Sequence, residues 1–178
     1  MSEVRITDFD GFALFAALNQ QREAQGLSWP GVAKAIWDQS YVLNEQRHDH
    51  PISPATLAKM RTTGATSCQH ALFVLRWLER TPESFLEDPP GDLPVPAIPL
   101  VGPDRRLRWS LSAIYEALDD RRREQLLTWP QLARVLRCTP SQLTGLRTAK
   151  FAIGMNLTMR IVQWLQRPSS DFIYASTW

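Results

Sequence analysis

One pattern of side chains occurs twice in this chain, in the same order, and that repetition restricts the fold more than any other feature. Leu27-Ser28-Trp29-Pro30-Gly31-Val32-Ala33 returns 100 residues later as Leu127-Thr128-Trp129-Pro130-Gln131-Leu132-Ala133. The correspondence extends upstream, from Leu14, Ala17, Leu18 and Arg22 onto Ile114, Ala117, Leu118 and Arg122. Downstream the offset drops to 86, laying Ser53-Pro54, Leu57, Met60 and Arg61 on Thr139-Pro140, Leu143, Leu146 and Arg147. It then becomes 87, with Leu72, Leu75, Trp77, Leu78 and Phe85 on Met159, Val162, Trp164, Leu165 and Phe172. Matches kept in order over roughly 70 residues mark one unit written twice. The 178 residues thus divide into two units of about 80, each able to close a small core.

The local signals inside each unit are those of short helices. Thr128 is a good N-cap and Gln131, three residues on, completes a capping box; Leu132, Val135 and Leu136 then share one face. A second helix restarts at once, with Thr139 as cap, Pro140 at the first helical position and Gln142 closing another capping box. Leu143 and Leu146 face inward. Helices this short need neighbours to lean on. A helix, a tight turn and a second helix with a polar outer face have the layout of a helix-turn-helix. The spacing predicts helices over 109–125, 128–137, 139–148, 155–167 and 169–174. In the first unit it predicts them over 11–25, from Ser28 through Ile36, over 53–61 and 68–80, with a last turn at 82–86. About 14 extra residues within 38–52 lengthen the first unit's turn.

Residues 89–107 hold six prolines, from Pro89 to Pro103, with no helical period. They read as an extended linker. At about 3.1 Å per residue such a segment reaches on the order of 60 Å, which allows two units to occupy half-sites about 34 Å apart on DNA. The expected organisation is all-α: a first five-helix domain over 1–88, the linker over 89–107 and a second domain over 108–178.

Charge separates the halves. Residues 1–88 carry 8 Lys and Arg against 11 Asp and Glu, a net of −3, whereas residues 89–178 carry 12 against 7, a net of +5. A polyanion is drawn to the second half, unless the asymmetry is simple drift between duplicates. An apolar content of 44% with 21% charged residues is that of a globular chain. No apolar run has the length of a membrane span, and Met-Ser-Glu-Val-Arg does not begin a signal peptide. Cys68 and Cys138 stand at non-equivalent places, which argues against a disulfide framework and for a reducing cytoplasm.

Leu118, Arg121-Arg122-Arg123, Leu127-Thr128-Trp129, Leu132-Ala133, Thr139-Pro140-Ser141, Leu143, Leu146-Arg147, Trp164-Leu165 and Phe172 together resemble the lambda-repressor/Cro-like (Xre-type) helix-turn-helix family. The resemblance covers the whole second unit and, allowing for the insertion, the first. It implies five-helix bundles that bind operator DNA, often as dimers. The family's base-facing positions fall on Pro140, Ser141, Thr144 and Gly145, with Gln142 beside them. In the first unit they fall on Pro54, Ala55, Ala58 and Lys59, with Thr56 and Arg61 on the same helix. The chain departs from the usual pattern here, because bidentate readers are scarce and only Lys59 is a strong donor. Its backbone-clamping positions fall on Thr128, Trp129, Arg134, Arg147, Thr148 and Lys150, which suit phosphates.

Each of these residues also has a structural reading. Trp29 and Trp129 either cover their cores or donate an indole N–H to a phosphate. Arg121-Arg122-Arg123 form either a solvated helix end that favours the macrodipole or a DNA-facing ridge. His48, His50, Cys68 and His70 are residue types that bind zinc, but not at a standard structural spacing, and no metal or other cofactor is expected. No glycine-rich phosphate loop, His-Glu-x-x-His or nucleophile elbow is present, so an enzyme is not expected. The sequence therefore points to a cytoplasmic, nucleoid-associated regulator of transcription that binds double-stranded DNA, from a bacterium or phage, able to form a homodimer. The alternative is a helical adaptor for RNA polymerase or another regulator.

Overall fold

The computed structural model describes residues 4–49, 52–89, 95–149 and 153–178. The chain is mostly helical, with one small two-stranded sheet. The first half contains α1 (Gly11–Ala24), α2 (Trp29–Asp38), α3 (Tyr41–Asn44), α4 (Pro54–Thr63), α5 (Cys68–Leu78) and the 3-10 turn η1 (Pro82–Phe85). The second contains β1 (Arg106–Trp109), α6 (Leu111–Glu124), α7 (Trp129–Leu136), α8 (Pro140–Thr144), η2 (Gly145–Arg147), α9 (Met155–Leu165), η3 (Ser169–Phe172) and β2 (Ile173–Ser176).

The helix starts follow the chemistry of their caps. The side chains of Ser28, Ser53, Ser67, Thr128 and Thr139 each accept a hydrogen bond from the backbone three residues on, and Thr128 and Thr139 form full capping boxes. Leu14, Leu18, Val32, Ile36, Leu57, Leu72 and Leu75 fill the core in the first half, and Ile114, Leu118, Leu132, Leu136, Leu143, Met159 and Val162 in the second. All of them belong to one continuous cluster.

The ends differ from the sequence reading. Helix α6 begins at Leu111, not at 109, because Arg106–Trp109 pairs antiparallel with Ile173–Ser176 and Ser110 then caps. For the same reason the last helix is a 3-10 turn that runs into a strand, and the tail folds back. Arg108 donates to the carbonyl of Trp178 at 2.8 Å and stacks over its ring. The expected helix over 139–148 is α8 followed by η2. Thr144 turns its hydroxyl onto the Pro140 carbonyl, and Gly145 is a poor helix former, so the last turn tightens.

Residues 95–105, expected as free linker, lie against the first half. Arg76 reaches the carbonyls of Val101, Gly102 and Arg105, Ser40 Oγ donates to Arg105, and the N–H groups of Val42 and Leu43 share the Pro103 carbonyl. Ile98 is buried. An extended segment remains in place when its carbonyls find donors and its apolar side chains find cover.

The halves meet through equivalent residues. Ser67 and Gly154, which precede α5 and α9, form an isolated antiparallel bridge: Cys68 N–H donates to Ile153 at 2.7 Å, and Met155 N–H to Thr66 at 2.9 Å. Each half also lends its leading segment to the other half's long helix. Thr7 and Phe9 bond Gln163 and Asn156 of α9, while the Leu107 carbonyl accepts from Gln69 of α5. Inside each half one short pairing recurs: Asp10 N–H donates to Phe85 and Ser110 N–H to Phe172. Among the described residues no helix is long and apolar enough to cross a membrane.

Candidate nucleic-acid interface

The turn that joins α7 to α8 consists of Arg137, Cys138 and Thr139. Arg137 takes a left-handed φ of 55°, and Cys138 N–H closes onto the Ala133 carbonyl. Leu132, Leu136, Leu143 and Leu146 anchor both elements from beneath. Of the contacts named on this stretch, Thr128, Arg134, Pro140, Ser141, Gln142, Thr144, Gly145, Arg147 and Thr148 are exposed. Lys150 lies outside the described residues. In the first half Ala55, Ala58, Lys59 and Arg61 are exposed on α4, while Thr56 is half-buried beside Ser53.

Trp129 behaves differently from its neighbours. Its ring is stacked on Tyr115 at 5.6 Å, with the Arg122 guanidinium over it at 4.6 Å. Trp29 repeats the arrangement with Phe15 at 5.2 Å and Arg22 at 4.8 Å. Both indoles are lids on their cores. The arginine run is equally occupied: Arg121 donates to the Leu165 carbonyl, Arg122 to Asp119 and Leu127, and Arg123 pairs with Asp119. Arg122 packs inward beneath the α6–α7 corner, so no continuous DNA-facing ridge forms.

The capping boxes that make these helices legible also consume the donors an anion would use. Gln131 N–H is taken by Thr128 Oγ1, and Thr128 N–H by Gln131 Oε1; Gln142 and Thr139 repeat the exchange. Pro130 and Pro140 have no N–H at all. Ser141 Oγ lies 3.1 Å from Thr139 Oγ1. The face therefore offers cationic side chains more than free helix-end donors. Arg134 and Arg147 in the second half, and Lys59 and Arg61 in the first, have no ion pair with any described residue.

The sequence carries a further signal for this surface. No Asp or Glu occurs from 50 to 78 or from 125 to 170, stretches that carry 3 and 6 Lys and Arg respectively. Both stretches contain the outward helix and its connection to the bridge between halves. Alongside α4, Thr56, Lys59, Thr66, Ser67, His70 and Gly154 line a pocket of about 430 Å³ with no carboxylate among the described residues of its wall.

Among the described residues, the possible zinc ligands Cys68, His48 and His70 do not form a metal-holding group. Cys68 is buried in the core, its thiol pushed up to about 11 by loss of solvent, while His48 is exposed on the insertion. His50 lies outside the described residues, and among those described no group of three or more metal-binding side chains converges.

Two carboxylates paired with arginines tie the halves together. Asp49 accepts from the Arg106 guanidinium at 2.8 and 3.0 Å, and Asn44 accepts from it at 2.9 Å. That hydrogen bond holds Asp49 down to about 2 against the opposing effect of burial. Asp8 is also held below its ordinary value, first by its hydrogen bond from Arg160 and also by the charge of Arg137. Comparison with known proteins finds no matching family model, no matching curated protein and no matching solved structure.

Proposed function

We propose that the chain binds double-stranded DNA and regulates transcription at the nucleoid, as a non-enzymatic protein built from two helix-turn-helix units. One observation carries this reading: α7, α8 and η2 present an exposed polar face with two arginines that pair with no described carboxylate, inside a 46-residue stretch of sequence free of carboxylates. Such a surface attracts phosphates through counterion release, and Asp8, which the fold brings against the turn, is neutralised there by Arg137 and Arg160. Arg134 and Arg147 hold the backbone, and Ser141 and Thr144 face the bases, with the side-chain N–H groups of Gln142 beside them. Single hydrogen bonds of this kind give modest sequence discrimination.

The experiment is a salt titration of the full chain on duplex DNA. Affinity falls steeply as salt rises, and Arg147→Ala weakens binding on every sequence and lowers the salt slope by about one. Binding that ignores salt, or no binding, rejects this function. An adaptor for RNA polymerase or another regulator is the second reading. It is favoured by the way Ser141, Gln142 and Thr144 spend hydroxyl or carbonyl groups on their own helix.

A further inference from the structure

The bridge between Ser67 and Gly154 is centred on two residues that are equivalent under the repeat, and its two hydrogen bonds exchange under the same correspondence. Contacts in which each partner meets the other's counterpart define a two-fold axis. At the far end of α5 and α9, Glu83 accepts from the Ser169 N–H at 2.6 Å and from Ser169 Oγ at 2.9 Å; these residues are one position from equivalence. The axis therefore runs from the Ser67–Gly154 bridge to the η1–η3 contact, along α5 and α9. A rotation about an axis leaves every displacement along that axis unchanged. Whatever α4 presents at the bridge end, α8 and η2 present at the same end.

We infer that one chain engages two successive major-groove segments on a single face of the duplex, as an internally paired unit with unlike half-sites. This rests on the DNA-binding reading above. The halves are held at fixed separation by the exchanged leading segments, the Arg106–Asp49 pair and the Asp8–Arg160 pair. A second copy is not needed to complete the site. The half-sites differ because the outward helices differ: Ala55, Thr56, Ala58 and Lys59 stand where the second half has Ser141, Gln142, Thr144 and Gly145. The target is accordingly an asymmetric site of fixed spacing rather than a palindrome.

The test compares random-sequence duplexes of about 10 and about 24 base pairs, one and two turns long. The short duplex takes only the more basic second half; the long one takes both, one chain per duplex, with a steeper salt slope. The double variant Lys59→Ala/Arg61→Ala lowers the slope on the long duplex by about two and leaves the short one unchanged. Arg134→Ala/Arg147→Ala lowers it on both. Two chains per long duplex, or a long-duplex slope indifferent to Lys59 and Arg61, overturns the bivalent mode while leaving DNA binding intact. Absence of salt-dependent binding on either duplex removes the DNA reading itself, and the bivalent mode with it.

Discussion

The two halves make the same inter-helix connection in opposite ways. Between α7 and α8 three residues suffice, turned by the left-handed Arg137. Between α2 and α4 the chain takes a long excursion through α3. Such an insertion could have altered the outward face. Instead it turns sideways: Ser40, Val42, Leu43, Asn44 and Asp49 all bond residues 103–106. Arg106 is the clearest consequence, a guanidinium with 1% of its surface exposed whose charge is met by Asp49. Its counterpart at offset 100 is Ile6. One copy of a duplicated unit has thus become the fastening for the other.

The comparison can be broken most severely at Gly11, whose counterpart is Leu111. A Cβ at Gly11 runs into the Gly64 carbonyl oxygen, a backbone atom with nowhere to go. Gly11→Leu should cost about 3 kcal/mol or more in chemical denaturation, or prevent folding. Leu111→Gly loses burial and backbone restriction, about 2–3 kcal/mol. Equal costs would mean that the halves close their α1 and α6 corners alike.

Asp49→Ala comes next. It strips the buried Arg106 of its charged partner, with Asn44 remaining, and should cost about 2 kcal/mol. The figure is below that for a fully buried pair because the Asp49 side chain is 41% exposed. Asp8→Ala breaks the reciprocal pairs with Arg160 and Arg137 at a smaller cost of about 1 kcal/mol. A larger effect at Asp8 than at Asp49 would reverse the assignment of the insertion as the main fastening.

Both carboxylates sit below their ordinary values when folded. Their contribution is therefore fully present above about pH 4, and it fades as pH falls through the folded values, about 2 for Asp49. Acid unfolding followed by tryptophan fluorescence reports the change, because the Trp37 indole donates to the Asp49 carbonyl. Asp49→Asn should flatten the stability profile in that acid range, whereas an unaltered profile would remove the pair from the linkage.

The smallest expected effect sharpens the comparison of outward faces. Gly145 is the counterpart of Lys59, and a Cβ placed there meets no atom. Gly145→Lys should leave the melting temperature within about 2 °C, raise duplex affinity and steepen the salt slope by about one. A folded variant with unchanged slope would place Gly145 away from the phosphates.

The helices were written in the order of residues. Ser and Thr caps, prolines at first helical positions and leucines at helical spacing act within one turn of chain, so the starts of α2, α4, α7 and α8 and most of the core could be read directly. So could the outward face of α8, because its polarity follows from the same periodicity. How the two units sit together was decided by tertiary structure. The bridge at Ser67 and Gly154, the strand made by Arg106–Trp109 and the burial of Arg106 all join residues dozens of positions apart. Pairing of that kind depends on which backbone donors and charges remain unsatisfied once the helices have packed, a quantity no local pattern contains.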